Sequence, residues 1–356
     1  MRIGIPKEIK PLEGRVGLVP AACSDLVKAG HALFVQRGAG EKSGYPDDAY
    51  EAAGARILPD AAALYESAEL IVKVKEPVAG DLEHLRQGHL LFCYLHLAAN
   101  PELARALQRI GLTAVAFETL QLPEGGLPLL APMSDIAGRL AAQIGATLLH
   151  QPQGGKGVLL GGLPAAERGR VTVLGAGTAG GNAAAMVAAM GAEVTVFDRK
   201  RDRLAAMRAL GPNVTALYPY PDEIAREVAR SDILIGAVLI PGARAPHLVS
   251  REQVAAMGAG SVVIDISVDQ GGCIETTRPT TWEAPTFVTE GVVHFGVTNM
   301  PGAVPRSASQ ALSAALIPWV RRLAGDPGWS ADPALAAGIN VRDGEIVHLA
   351  VRAALE

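Results

Sequence analysis

Two doubly wound α/β domains are predicted for this chain, and three observations predict them. Short runs rich in Val, Ile and Leu alternate with Ala-rich helical stretches along most of the sequence, as a mainly parallel sheet with crossover helices requires. The 356 residues exceed one ordinary core and, at about 150 residues per domain, suggest two. One strand, turn and helix in the middle of the chain carry a glycine fingerprint suited to a dinucleotide. The composition points the same way: with 49% hydrophobic but only 4% aromatic residues, the core must be Ala-rich helices packed on aliphatic strands.

In chain order, residues 2–5 read as a first strand and residues 6–13 as a charged turn. Arg15 follows, flanked by Gly14 and Gly17. Residues 21–29 read as a helix stopped by Gly30, and residues 32–36 as the next strand. Gly38-Ala39-Gly40 is a glycine-rich turn with no acidic partner at the right distance, so it reads as packing. Helices near 47–53 and 61–67, a strand at 70–74, a helix near 81–86, a strand at 89–94, a helix at 101–109 and a strand at 113–117 continue the alternation. In parallel sheets, function collects in loops at the carboxyl ends of the strands. Lys75 and His96 both stand there.

A long helix is predicted from 132 to about 150, with Ser134 or Asp135 as its N-cap. A glycine-rich loop at 154–162 leads to Arg170-Val171-Thr172-Val173-Leu174-Gly175-Ala176-Gly177-Thr178-Ala179-Gly180. Gly175 permits a tight turn, Gly177 leaves bare backbone for a pyrophosphate, and Gly180 lets the helix lie close to the strand. The diphosphate would rest on the unpaired N–H groups of the helix start. Asp198 ends the next strand, where a carboxylate accepts hydrogen bonds from ribose hydroxyls and repels a 2′-phosphate; NAD is therefore expected over NADP. Further strands are predicted at 193–197, 214–217, 232–236, 261–264 and 291–295. A second long helix runs from 307 to about 324, and Asp343-Gly344 marks a hairpin. These last pieces are too few to fold alone and should complete the N-terminal domain.

The formal charge of −4 leaves no basic footprint for nucleic acid. No run of ~18 apolar residues spans a membrane, and the N-terminus lacks a signal-peptide core, so a cytoplasmic protein is expected. Cys23, Cys93 and Cys273 are too scattered for a disulfide framework or a metal motif and read as small buried hydrophobes. No metal site is expected, since neither His247 nor His294 has a spaced partner.

Taken singly, Arg15, Lys75, His96 and Asp269 have bland readings as solvated charges, a core imidazole and a turn residue. Their surroundings are more specific. The stretches Ile5-Pro6-Lys7-Glu8, Arg15-Val16, Val72-Lys73-Val74-Lys75-Glu76-Pro77, Tyr94-Leu95-His96-Leu97-Ala98, Pro132-Met133-Ser134, Gly236-Ala237-Val238-Leu239-Ile240-Pro241-Gly242, Asp265 to Gly272 and Val297-Thr298-Asn299-Met300-Pro301, with the glycine turn, resemble the family of alanine dehydrogenases and transhydrogenase NAD-binding subunits. The resemblance covers essentially the whole chain. It implies two Rossmann-like domains joined by two long helices with a cleft between them. The substrate domain is discontinuous, 1–131 with 305–356, and the NAD domain is 132–304.

The resemblance further implies reversible NAD-dependent oxidative deamination of L-alanine to pyruvate and ammonium by a homohexamer. In it, Arg15 and Lys75 bind substrate, His96 and Asp269 are catalytic, and Ser134, Asp198, Arg203 and Asn299 join Gly175, Gly177 and Gly180 around the cofactor. The chemistry of the residues agrees. An arginine fork holds a carboxylate by two parallel hydrogen bonds, a lysine polarises a carbonyl, and an imidazole exchanges protons near neutral pH. A transhydrogenase subunit, a saccharopine- or opine-type dehydrogenase and a non-enzymatic NAD-binding protein are the competing readings.

Overall fold

The computed structural model describes residues 1–238 and 246–355. It divides the chain into two units, Met1–Met133 with the chain from Gly302 onward, and Ser134–Pro301. The stretch Leu239-Ile240-Pro241-Gly242, quoted above, falls outside the described residues.

Six strands build the first sheet from the N-terminal side: β1 (Arg2–Ile5), β2 (Ala32–Gln36), β3 (Arg56–Leu58), β4 (Leu70–Val72), β5 (Leu90–Cys93) and β6 (Thr113–Ala116). They lie in the order β6-β5-β4-β1-β2-β3, all parallel. Every residue of β4 and β5 is buried. Such strands read as unbroken apolar runs because helices cover both faces of the sheet. Ile71, Leu91 and Ala114 form one core with Leu64, Leu103 and Leu107 of the flanking helices.

The second unit repeats the plan with β7 (Arg170–Leu174), β8 (Glu193–Phe197), β9 (Val214–Leu217), β10 (Ile233–Gly236), β11 (Val262–Asp265), β12 (Thr286–Thr289) and β13 (Val292–Phe295). Their order is β12-β13-β11-β10-β7-β8-β9, with only β12 antiparallel. Ala183, Ala184 and Val187 of the helix Thr178–Ala189 pack on Val171, Val173 and Ile235, which is the small-residue packing the composition predicts. In both units strand order reverses beside the first strand, between β1 and β4 and between β7 and β10. Ligands of open α/β sheets bind outside the carboxyl ends of strands at such switch points.

The C-terminal pieces return to the first unit as expected. After the helix Pro305–Gly325 come β14 (Ile339–Arg342) and β15 (Glu345–Ile346), and β14 pairs antiparallel with β6 through Ile339 and Val115. Asp343 and Gly344 turn the hairpin at φ of 47° and 84°, the pair of positive values that a tight hairpin turn demands. The helix Ala131–Leu148 crosses the division between units, whereas Pro305–Gly325 lies within the first. Among the described residues no helix is long and apolar enough to cross a membrane. All three cysteines are free and buried.

Some local expectations change. The long helix begins at Ala131, with Pro132 in its first turn, so Ser134 and Asp135 lie inside the helix instead of capping it. Asp135 Oδ1 instead accepts a hydrogen bond from Asn182 Nδ2 at 2.8 Å. The short edge strands β3 and β12 carried no readable signal: the first is three residues long, and the second mixes two threonines with only partly buried neighbours.

Candidate functional site

The first unit carries Arg15, Lys75 and His96 on the loops that leave β1, β4 and β5, three strands adjacent in the sheet. Each loop is held by a glutamate. Arg15 is buried, and its Nε and Nη2 donate to the two oxygens of buried Glu13 at 2.7 and 2.5 Å, while its backbone N–H donates to Glu13 Oε1 at 3.0 Å. Burial works against the guanidinium charge, but the Glu13 carboxylate outweighs it and the Arg15 pKa is raised. Nη1 approaches Met133 Sδ at 3.2 Å. The helix Pro305–Gly325 pins this loop, since Ser309 Oγ accepts the Val16 N–H and Ser313 Oγ the Val19 N–H.

Lys75 follows a buried ion network. Glu8 Oε1 accepts the N–H groups of Val74 (2.6 Å) and Lys75 (3.3 Å), while Glu8 Oε2 and Asp81 Oδ2 hold the ammonium of buried Lys73 at 3.1 and 3.2 Å. Burial alone would lower the Lys73 pKa, but the two carboxylates push it up. Lys75 Nζ itself stands 3.8 Å from Glu76 Oε2, and Lys10 pairs with the other oxygen of that carboxylate. Burial would raise the Glu76 pKa, yet Lys75 and Lys10 leave it lowered.

His96 is half-exposed and adopts a left-handed backbone, φ 50° and ψ 38°. Its ring lies parallel to the Tyr94 ring, with centroids 5.9 Å apart, and the Tyr94 hydroxyl is anchored on Leu129 O at 2.7 Å. Glu118, just beyond β6, accepts the His96 N–H.

The second unit carries the glycine turn. Gly175 sits at φ 94°, and a Cβ there would meet Ala237 O at 2.7 Å; a Cβ on Gly180 would lie 1.8 Å from Gly175 O. Both contacts are with backbone and cannot yield, so only glycine seats the helix Thr178–Ala189 against the turn. At Gly177, the residue before the helix, the nearest atom to an added Cβ is Arg203 Nη1 at 3.7 Å. The backbone there is open to a ligand, and the first N–H groups of the helix lack intrahelical partners. Asp198 is buried at the end of β8. Its Oδ2 accepts the Ala176 N–H at 2.8 Å and stands 3.4 Å from Arg203 Nη1, and its Oδ1 accepts the Lys200 N–H at 2.8 Å. A carboxylate has about four acceptor sites, so capacity for ribose hydroxyls remains. These features fit a dinucleotide.

Asp269 lies exposed on the short helical turn Ile266–Gln270 after β11, and its Oδ2 accepts the Asn299 N–H at 3.4 Å. Asn299 adopts φ 56°. The buried Asp265 holds the Asp269 loop by accepting the N–H groups of Ser267 (2.9 Å), Cys273 (2.8 Å) and Ile274 (3.2 Å). Burial raises the Asp265 pKa against the pull of those donors. Ser134 is half-buried in the helix Ala131–Leu148. Sequence reasoning missed Glu8, Glu13, Glu118 and Asp265. Glu8 and Asp265 stood within stretches that carry the family resemblance without being given a role, and Glu13 had a local signal, since its spacing of two from Arg15 lets a side chain fold back on its neighbour.

Two units with this strand order, one bearing the glycine turn and an acid at the end of the following strand, define a Rossmann-type nucleotide-binding protein. Comparison with known proteins narrows the class. Residues 4–137 match the family model "Alanine dehydrogenase/PNT, N-terminal domain" and residues 141–349 "Alanine dehydrogenase/PNT, C-terminal domain". An alanine dehydrogenase of Halomonas elongata is 49% identical over 99% of this chain and 96% of its own length. A solved L-alanine dehydrogenase is 49% identical with a TM-score of 0.96, covering 99% of both chains. A transhydrogenase from Sinorhizobium meliloti is 29% identical with a TM-score of 0.85, over 98% of this chain and all of that one. The chain belongs to the alanine dehydrogenase/PNT family, and with it comes a nicotinamide cofactor and a small-molecule substrate.

Proposed function

We propose that this chain oxidises L-alanine to pyruvate and ammonium, reversibly, with NAD as partner. The observation that carries this reading, beside family membership, is the placing of Arg15, Lys75 and His96 at the carboxyl ends of three adjacent strands of one sheet. An α-amino acid needs a carboxylate anchor, an oxygen-polarising cation and a proton acceptor, and these three residues supply them. Arg15 anchors the carboxylate of alanine or pyruvate; its guanidinium is held rigid by Glu13, so little order is lost on binding. Lys75 lies beside the carbonyl oxygen of the 2-oxo acid. His96 and Asp269 divide the proton exchanges: His96 as general acid and base, Asp269 by orienting water or ammonia and balancing the cationic intermediates.

When bound, the nicotinamide supplies the hydride acceptor. Gly175, Gly177 and Gly180 would cradle its pyrophosphate, Asp198 the adenosine ribose, and Ser134, Arg203 and Asn299 would complete the surroundings. We place the substrate domain at 1–131 with 305–356 and the NAD domain at 132–304, and expect a cytoplasmic homohexamer, as the family resemblance implies.

The test is spectrophotometric: NADH formation with a panel of L-amino acids, and NADH consumption with 2-oxo acids plus ammonium. L-Alanine and pyruvate should be the best pair. Turnover of saccharopine, or dependence on NADPH, without activity on L-alanine would overturn the reading.

A further inference from the structure

Glu118 takes no part in the roles assigned above, yet its carboxylate is largely buried beneath the loop that carries His96. Its Oε1 accepts the His96 N–H at 2.6 Å, its Oε2 accepts the Leu95 N–H at 3.2 Å, and Oε1 lies 4.0 Å from His96 Nδ1. The backbone so held is left-handed at His96, a conformation that a residue with a Cβ rarely adopts and that persists only where its surroundings impose it. Hydrogen bonds from backbone N–H to an ionised carboxylate are among the stronger ones available to do so. The stacked Tyr94 ring limits the imidazole from one face.

We propose that Glu118 is a positioning residue for the reaction: it holds His96 in its left-handed conformation, so that the imidazole is presented in one geometry instead of several. This inference rests on the reading that His96 exchanges the proton. Glu118 and His96 come together only in the fold, because they sit 22 residues apart at the ends of the adjacent strands β6 and β5.

The test compares the wild type with E118A, E118Q, H96A and the double variant H96A/E118A, measuring kcat with L-alanine, NADH affinity by fluorescence, and melting temperature. E118A should lower kcat by about 10- to 100-fold, the scale expected of a misplaced catalytic group, with NADH affinity unchanged. E118Q, which keeps an oxygen facing the two N–H groups, should recover most of that loss. In the H96A background, removing the Glu118 carboxylate should change turnover by less than about twofold, because a residue acting through His96 has nothing left to act on. Wild-type kcat in E118A would overturn the proposal. So would an equal loss with and without His96, the signature of a general structural brace. If E118A does not fold, E118M preserves the bulk without the acceptor and is held to the same outcomes. A wild type inactive on L-alanine would refute the functional reading and this inference with it, whereas an active wild type with an unaffected E118A refutes the inference alone.

Discussion

Arg15 shows how much a single side chain can owe to its neighbour. Its Nε and Nη2 are fixed by Glu13, so the fold sets the plane of the guanidinium, and in the proposed role it would meet a substrate carboxylate already oriented. A lysine in its place would keep the charge but lose the fork, and its one ammonium could not satisfy Glu13 while aligning with a substrate carboxylate. Hydrogen bonds to charged groups contribute about 1.5–3 kcal/mol each, so Arg15→Lys should raise KM for L-alanine and pyruvate roughly 10- to 100-fold. KM for NAD should stay at the wild-type value. Steady-state kinetics in both directions check this; the opposite pattern, a normal KM for alanine with a raised KM for NAD, would remove Arg15 from the substrate's surroundings.

At the scale of elements, the strands and helices that bury continuous apolar faces were legible, because burial on both sides of a parallel sheet writes itself into unbroken runs such as Leu90-Leu91-Phe92-Cys93. Elements that bury little were not: β3 and β12 look like loop in sequence because their stability comes from a neighbouring strand. The candidate site divides in the same way. The glycine turn and Asp198 are close in sequence and offer a reading directly, whereas the roles proposed for Arg15, Lys75, His96 and Asp269 come from family resemblance. Glu8 and Glu118 look like ordinary loop charges until the sheet brings them under the loops they hold.

The strand β13 supplies a test of packing. His294 on it is buried, with Nδ1 bonded to Val292 O at 3.0 Å and Nε2 to the Thr276 hydroxyl at 2.8 Å. Burial, and more weakly Arg251, lower its pKa against the pull of the Val292 carbonyl. The unfolded chain, titrating near ~6.5, therefore binds this proton first on acidification. Stability falls as the pH drops from about 6.5 through the lowered folded value, and the penalty is complete below it. Melting temperature should therefore decline less steeply with acid in His294→Gln than in the wild type. Parallel curves would show that His294 titrates alike in both states.

At the scale of the whole molecule, cofactor choice should be visible as stability. A ligand that binds only the folded state stabilises it by RT ln(1 + [L]/Kd), about 2.7 kcal/mol at a hundredfold excess over Kd. For a domain of this size that corresponds to very roughly 5–10 °C in melting temperature. Asp198 and Arg203 pull in opposite directions on a 2′-phosphate, and they stand only 3.4 Å apart. The Asp198 carboxylate is 8% exposed and the Arg203 side chain 42% exposed, so solvent and salt screen the arginine far more than the acid. Repulsion should therefore win. NAD should raise the melting temperature well above the shift that NADP gives at the same concentration, and Asp198→Ala should narrow that gap by weakening the response to NAD and relieving the repulsion of NADP. Equal shifts for the two cofactors in the wild type would mean that Arg203 cancels the repulsion of Asp198, and a larger shift with NADP that Arg203 governs the choice; either result overturns the expectation.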